Sequence, residues 1–157
     1  MRYSILGHHY KAHEVETMSG ETKLAKVVPV VIRTNGAGVE ILAFEHPLAG
    51  HQIVKGTPIL GEPFADACVR ELREESGLVG IPSRALGSIH HATDQIEWHF
   101  YLMEVISVVP EHFSYFTEDD GGHVFHFFWH RLSDELTTHW HPRYHEPIGF
   151  LKSALLI

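Results

Sequence analysis

The sequence predicts an α/β domain, with helices covering both faces of a mixed β-sheet in an α/β/α sandwich. Two segments carry helical signals, at about residues 63–76 and 147–156, and stretches with strand-like alternation lie before and between them. The chain has 157 residues, the size of one domain, and 44% of them are hydrophobic, which is enough for a core. No repeat or linker divides it. We therefore expect residues 1–157 to form a single domain, with 1–22 as an irregular arm or a short edge strand.

The segment before the first helix predicts a hairpin. Lys26–Thr34 has the pattern of a strand, and Pro29 within it indicates a sheet edge or a bulge. Asn35 and Gly36 are typical of a tight turn, so Val39–Glu45 is predicted to be the returning strand. A short strand at 51–54 then leads toward the first helix.

The first helix has clear signals at both ends. Pro63 suits a helix start, because the N–H that proline lacks has no intrahelical partner there. Gly77 suits the end, where a left-handed cap is usual. Between them an apolar stripe recurs at helical spacing, formed by Ala65, Cys68, Val69 and Leu72. Cys68 is the sole cysteine, so no disulfide framework is predicted, and we interpret it as a small core residue.

The second half predicts three strands and a closing helix. Gly80 and Pro82 are expected to break the chain after the first helix. The strands follow at 85–91, 97–107 and 123–132, with alternating apolar side chains. An acidic, glycine-containing loop at 118–122 precedes the last of them, and 147–156 fits a C-terminal helix.

Three carboxylates share one face of the first helix. Glu71 is three residues before Glu74 and four before Glu75, and both spacings bring side chains together. Such a face is often only solvated surface, with Arg70 and Arg73 forming ordinary ion pairs. The carboxylates nevertheless repel one another unless a cation lies between them, and oxygen ligands suit Mg²⁺ first and Mn²⁺ as a substitute. Because Mg²⁺ completes its shell with phosphates, a phosphate ester or anhydride is the expected substrate.

Upstream residues at fixed spacing favour the metal-site interpretation. Gly56 is followed after five residues by Glu62 and after seven more by the run Arg-Glu-Leu-x-Glu-Glu-x-Gly-Leu at 70–78. This pattern resembles the Nudix box, the 23-residue signature of the Nudix hydrolase family, and all nine specified positions match. The resemblance implies the Nudix fold, which is itself an α/β/α sandwich.

The resemblance also implies roles for particular residues. The metal ligands would be Glu71, Glu74 and Glu75 together with the carbonyl of Gly56, and Glu62 with Arg70 would orient the acidic helix. Lys55, next to Gly56, is a candidate for substrate phosphate. In many Nudix enzymes a base or further ligand lies on a later loop. Glu118 is our first candidate for that catalytic residue, and the alternatives are Asp119, Asp120, Glu97 and, within the box, Glu71.

The implied activity is hydrolysis of a nucleoside diphosphate linked to another moiety, with water attacking phosphorus. The exact substrate stays open among dinucleoside polyphosphates, nucleotide sugars, ADP-ribose, oxidised nucleoside triphosphates and 5′-triphosphate RNA ends. One alternative is a Nudix-fold module that binds a nucleotide without turnover, although such modules usually lose box glutamates. Another is a metal-handling protein that uses the fifteen histidines, but no matching cysteines or His-Glu-x-x-His frame support zinc.

Composition limits the partners. The formal net charge of −8 argues against extended nucleic-acid binding, although a single nucleotide needs only a local basic contact. No apolar run approaches the length of a membrane span, and no secretory segment follows Met1, so we expect a cytoplasmic protein with a small nucleotide-type substrate. A homodimer is left open. Further candidate contacts are Phe44, Trp98, Tyr101 and Phe113 for stacking on a base, and Arg33, Arg84 and Arg131 for phosphate.

Overall fold

The computed structural model describes residues 14–16 and 22–155. Neither helix in these residues is long and apolar enough to cross a membrane. Two short 3₁₀ turns lie at Asp119–Gly121 and Pro142–Tyr144. The remaining elements are β1 (Glu14–Glu16), β2 (Thr22–Val30), β3 (Ile32–Asn35), β4 (Gly38–His46), β5 (Gly50–Gln52), α1 (Phe64–Ser76), β6 (Gly80–His91), β7 (Ile96–Val105), β8 (Phe113–Thr117), β9 (His123–Arg131) and α2 (His145–Leu155).

The strands form two sheets. The first has the order β1-β2-β7-β6 and is mixed, because β2 runs parallel to β7 whereas the other neighbours are antiparallel. The second has the order β3-β4-β9-β8, with β5 also paired to β4, and it is antiparallel throughout. Within the predicted arm, β1 matches the edge-strand alternative, whereas residues 1–13 and 17–21 lie outside the described residues.

Apolar side chains on successive residues of β2 and β4 enter two different cores. Val27 of β2 packs in the cluster that contains Cys68 and Leu72 of α1, and Val28 packs in the cluster that contains Ile148 and Leu151 of α2. In β4 the same alternation separates positions 42 and 44 from 41 and 43. Because strand side chains alternate between faces, each helix covers one face. The predicted α/β/α arrangement is therefore confirmed, and Cys68 is a buried core residue.

The predicted strand at 26–34 is two strands. β2 ends at Val30 and β3 begins at Ile32, so the chain leaves one sheet and enters the other at Val31. The carbonyl of Val31 accepts a hydrogen bond of 2.9 Å from the N–H of Leu42 in β4. Backbone pairing therefore transfers from β7 to β4 without an interruption in the apolar pattern, which is why the sequence shows one continuous strand.

The expectation that Gly80 and Pro82 break the chain is wrong, because both lie inside β6. Among the described strands β6 is at the edge of its sheet and pairs on one side only, with β7. Its register shifts between Pro82 and Arg84 and again between Ala85 and Gly87. Edge strands and bulges tolerate proline, since no ladder hydrogen bond needs its missing N–H.

Pro29 occupies an edge-like position, as its sequence predicts. Val27 exchanges both backbone hydrogen bonds with Gly56, at 2.9 and 3.0 Å, on the side of β2 that faces away from β7. Pro29, two residues later, presents its nitrogen to the same side. The missing N–H therefore costs β2 no bond to β7. The Val27–Gly56 bridge also anchors the start of the Nudix box against the sheet.

Candidate active site

Helix α1 presents its acidic residues at different depths. Pro63 is the N-cap, and Gly77 ends the helix in the left-handed conformation, with φ of 74°. The apolar stripe faces the core, and Glu71 lies on that buried side with no exposed surface. Glu75 is half-buried and Glu74 is exposed. A carboxylate as deeply buried as that of Glu71 needs strong compensating contacts.

Arg70 supplies such contacts. Its Nη1 donates to Glu71 Oε1 at 2.7 Å and to Glu74 Oε2 at 3.2 Å. Its Nε and Nη2 bind both carboxylate oxygens of Glu62, at 2.8 and 2.9 Å, and Nη2 also reaches the carbonyl of Thr57 at 3.0 Å. Burial opposes the charge on Arg70, but the hydrogen bonds to Glu62 and Glu71 outweigh it and raise the pKa of the guanidinium. The two predicted supporting residues are therefore bonded to each other and to the acidic face.

The acidic face opens into a cavity of about 360 Å³ between the helix and the two sheets. One carboxylate oxygen from each of Glu71, Glu75 and Asp119 lies within 4.8 Å of the others. Within the part of the chain that the structure describes, this is the group of acidic, His or Cys side chains close enough to share a metal ion. The cavity lining also includes Lys26, Phe44, His46, Lys55, Gly56 and Phe125.

Gly56 leaves the space in which Glu71 sits. A Cβ built on Gly56 would lie 1.8 Å from the carboxylate carbon of Glu71 and 2.2 Å from its Oε2. Any larger residue would therefore displace the carboxylate. The Gly56 carbonyl accepts the bond from the N–H of Val27 described above, which uses one of its two lone pairs and leaves the other available to a metal ion.

The substitution Gly56→Ala is expected to raise the dissociation constant for Mn²⁺ at least tenfold while the chain still folds. The methyl group forces the buried Glu71 carboxylate out of its position, but the backbone of Gly56 does not use a positive φ that only glycine adopts. Titration calorimetry with Mn²⁺ measures the effect. Gly149→Ala is the matched control, because a Cβ there meets nothing within 4 Å. Unchanged Mn²⁺ affinity in Gly56→Ala would contradict the role of this contact.

Two lysines add positive charge to the cavity lining. Lys26 donates from Nζ to Thr57 Oγ1 at 2.6 Å. Lys55 Nζ lies 6.0 Å from the ring centre of Trp98 and 5.9 Å from that of Tyr144. Burial lowers the pKa of the Lys55 ammonium to about 8, and nearby Arg143 contributes to the shift while Glu75 opposes it. At neutral pH Lys55 therefore remains mainly protonated beside the carboxylates.

The acidic loop contributes Asp119 to the cavity. Glu118 precedes the 3₁₀ turn with an exposed side chain and does not line the cavity, whereas Asp119 does. The backbone N–H of Asp119 donates to the buried Thr117 Oγ1 at 3.3 Å, which holds the start of the turn. Glu97 also lies outside the cavity lining and contacts His90 Nδ1 at 3.0 Å. The geometry therefore favours Asp119 over Glu118 as the residue that the loop adds.

The other sequence candidates are dispersed. Of the four aromatic residues Phe44 lines the cavity, and it stacks on Phe125 at 4.2 Å between ring centres. Trp98 is completely buried. The three arginine candidates do not line the cavity, and Arg33 instead pairs with Glu40 and Glu111. Of the fifteen histidines, those at positions 8, 9 and 13 lie outside the described residues. No motif or spacing in the sequence singles out Lys26 or His46, which line this cavity. The same is true of Arg143, which lies outside this lining.

Comparison with known proteins identifies the family and the fold of this chain. The family model described as NUDIX domain matches residues 23–150. Among solved structures, an ADP-ribose pyrophosphatase from Streptococcus suis 89-1591 superimposes with a TM-score of 0.56 and 13% identity, over 82% of this chain and 90% of that one. A UDP-X diphosphatase superimposes with a TM-score of 0.63 and 13% identity, over 85% of this chain and 63% of that one. No curated protein sequence matches the chain significantly. At these identities the superpositions establish the fold, and the family match establishes that this chain belongs to the Nudix family and is a Nudix hydrolase.

Proposed function

We propose that the protein is a metal-dependent pyrophosphohydrolase that cleaves a nucleoside diphosphate linked to another moiety. The observation that carries the proposal is the group of Glu71, Glu75 and Asp119, whose carboxylate oxygens lie within 4.8 Å of one another in a cavity that two lysines also line. Three negative charges at this separation repel strongly when they are shielded from water. A divalent cation between the carboxylates would remove this repulsion, so the group is suited to binding a metal ion.

The donor set suits a hard cation. The group offers oxygen atoms without thiol or imidazole, and Gly56 keeps open the space that the Glu71 carboxylate needs. Glu71, Glu75 and Asp119 would hold Mg²⁺, or Mn²⁺ as a substitute, and the Gly56 carbonyl and Glu74 would be further candidate oxygen donors. When bound, such an ion polarises phosphoryl oxygens and lowers the pKa of a coordinated water.

The remaining residues of the cavity prepare the substrate. Lys26 and Lys55 line the same cavity as the carboxylates, where they would neutralise substrate phosphates and the charge that develops on the leaving group. Arg70 holds the Glu71 carboxylate in position through its bond to Oε1. Asp119 would accept the proton of the attacking water, and Glu71 is the alternative base because it lines the same cavity.

Activity is expected to disappear when EDTA removes divalent ions and to return with Mg²⁺ or Mn²⁺. The test is a hydrolysis screen in which released products are separated chromatographically. The panel contains dinucleoside polyphosphates, nucleotide sugars, oxidised nucleoside triphosphates and 5′-triphosphate RNA. It also contains ADP-ribose and UDP-linked compounds, since the two structural neighbours carry those names. The expected products are a nucleoside monophosphate and a phosphorylated second moiety.

Glu75→Gln protein prepared in parallel reveals any contaminating phosphatase. Hydrolysis that persists at full rate in EDTA would refute metal dependence. Tight nucleotide binding without turnover under every metal condition would instead identify a binding module that has the Nudix fold but lacks the activity.

A further inference from the structure

A second, smaller cavity adjoins the metal-site cavity. Its volume is about 230 Å³, and its polar lining consists of His46, Gln52, Lys55, His141, Arg143 and Tyr144. His46, Gln52 and Lys55 also line the first cavity, so the two cavities adjoin at these residues. Arg143 and Tyr144 belong to the 3₁₀ turn before α2, far from the Nudix box in sequence. The box therefore does not account for this second cavity.

Both histidines that line this cavity carry their imidazole proton on Nε2, because Nδ1 of each ring accepts a hydrogen bond. His46 Nδ1 accepts from the backbone N–H of Leu48 at 3.0 Å, and His141 Nδ1 accepts from the backbone N–H of Arg143 at 3.2 Å. A neutral imidazole that accepts at Nδ1 carries its proton on Nε2. Each neutral ring therefore carries its N–H group at Nε2.

Two cations complete the donor set. Arg143 uses Nε to bind Asp94 at 2.5 Å, but its two terminal nitrogens make no hydrogen bond to the described residues. Lys55 likewise forms no hydrogen bond or ion pair with them and faces the rings of Trp98 and Tyr144. Among the described residues, no carboxylate lines the second cavity. In a chain with a net charge of −8, this local concentration of donors and positive charge is suited to an anion.

We propose that the second cavity binds a phosphoryl group of the substrate beyond the cleaved linkage, so that the preferred substrates carry three or more consecutive phosphates. This inference rests on the proposed function and specifies its substrate class. The cavity is smaller than the roughly 300–1,000 Å³ of sites for drug-sized ligands, and its lining is mainly polar, which suits a phosphoryl group better than a base or sugar. The planar guanidinium of Arg143 can bind two oxygens of one phosphate at once.

Binding of inorganic polyphosphates tests this without requiring turnover. Calorimetry of the full chain, at saturating Mg²⁺ and constant ionic strength, compares tripolyphosphate, pyrophosphate and orthophosphate. Tripolyphosphate is expected to bind roughly ten- to a hundredfold more tightly than pyrophosphate, the gain expected from added charge-assisted hydrogen bonds. Orthophosphate cannot span the two cavities and is expected to bind at least tenfold more weakly than tripolyphosphate. Equal affinity would mean that the cavity takes free phosphate, and this would overturn the proposal.

Arg143→Ala should abolish the preference for tripolyphosphate and leave pyrophosphate affinity within about twofold, because pyrophosphate fits the metal-site cavity alone. Arg84→Ala is the control, since it removes the same charge from an exposed position on β6 that lines neither cavity. It should keep the full preference. If Arg143→Ala does not fold for want of its bond to Asp94, Arg143→Gln retains a donor for that carboxylate and should show the same loss.

Each outcome has a definite meaning. An undiminished preference in the folded Arg143 variant, or no preference in the unmodified chain, would overturn the second subsite. Cleavage of diphosphate-linked substrates without any tripolyphosphate preference would overturn the subsite and leave the proposed hydrolysis intact. A tripolyphosphate preference that depends on Arg143, in a protein that cleaves nothing, would support the subsite and refute the proposed catalysis.

Discussion

Replacing Glu75 by glutamine is expected to lower kcat by roughly a hundredfold or more. Glutamine keeps the size of the side chain but removes the charge that faces Glu71 and Asp119 in the cavity. A catalytic metal ion contributes several kcal/mol to stabilising the transition state, and about 1.4 kcal/mol corresponds to a factor of ten in rate. Glu75 lies half-buried in the last turn of α1, so the thermal midpoint of unfolding should change little. Steady-state kinetics at several Mg²⁺ concentrations measure the effect.

Two other variants on the same helix show whether the loss of kcat is specific to Glu75. Glu74 is exposed and outside the cavity lining, with a bond to Arg70, so Glu74→Gln should lower kcat less than Glu75→Gln does. Asp66 is exposed in the first turn of α1, and Asp66→Asn should leave kcat and the Mg²⁺ requirement unchanged. Full activity of Glu75→Gln, with the Mg²⁺ dependence of the unmodified chain, would show that the metal site lies elsewhere.

The helix and its acidic face could be predicted because their signals are local. Pro63, Gly77 and the apolar stripe fix where α1 begins, where it ends and which side it buries, and the observed bounds are Phe64–Ser76. The spacing between Gly56 and the helix also carried information that periodicity alone does not. It records a three-dimensional contact, since the missing Cβ of Gly56 is the space that Glu71 occupies.

The remainder of the site depends on contacts that no local pattern records. Asp119 reaches the carboxylates because the loop between β8 and β9 is held beside α1, and β8 itself was absent from the sequence interpretation. Arg143 lines the second cavity together with Lys55 only because tertiary packing brings the 3₁₀ turn before α2 to this place. In both cases the residue type carries no signal of its own, and tertiary packing places it in a cavity lining.

The pairing of the strands could not be predicted from the side-chain pattern either. The apolar run within Lys26–Thr34 is continuous because β2 is buried and Ile32 of β3 still packs against the core, yet hydrogen bonding passes to another sheet at Val31. At Gly80 and Pro82 the residue types predicted a break that an edge strand with register shifts absorbs. Side-chain patterns report burial, whereas the choice of strand partner depends on the backbone and is invisible to them.

Asp119→Asn is expected to lower kcat by roughly 10²- to 10⁴-fold, the usual cost of losing a positioned base or acid. Asp119 lines the cavity and has an oxygen within 4.8 Å of those of Glu71 and Glu75, whereas the adjacent Glu118 is exposed and lies outside it. Glu118→Gln removes the same charge from the same loop and is the matched control, with an expected change in kcat of no more than a few-fold.

Measuring kcat and Mn²⁺ affinity together separates two roles for Asp119. A base alone would lower kcat at unchanged affinity, and a metal ligand would weaken both. If Glu118→Gln were instead the damaging substitution and Asp119→Asn retained full kcat, the loop would have to close over the substrate in a different position, bringing Glu118 to the attacking water. If both variants kept full activity, the base would lie within the helix, where Glu71 is already aligned by Arg70 at 2.7 Å.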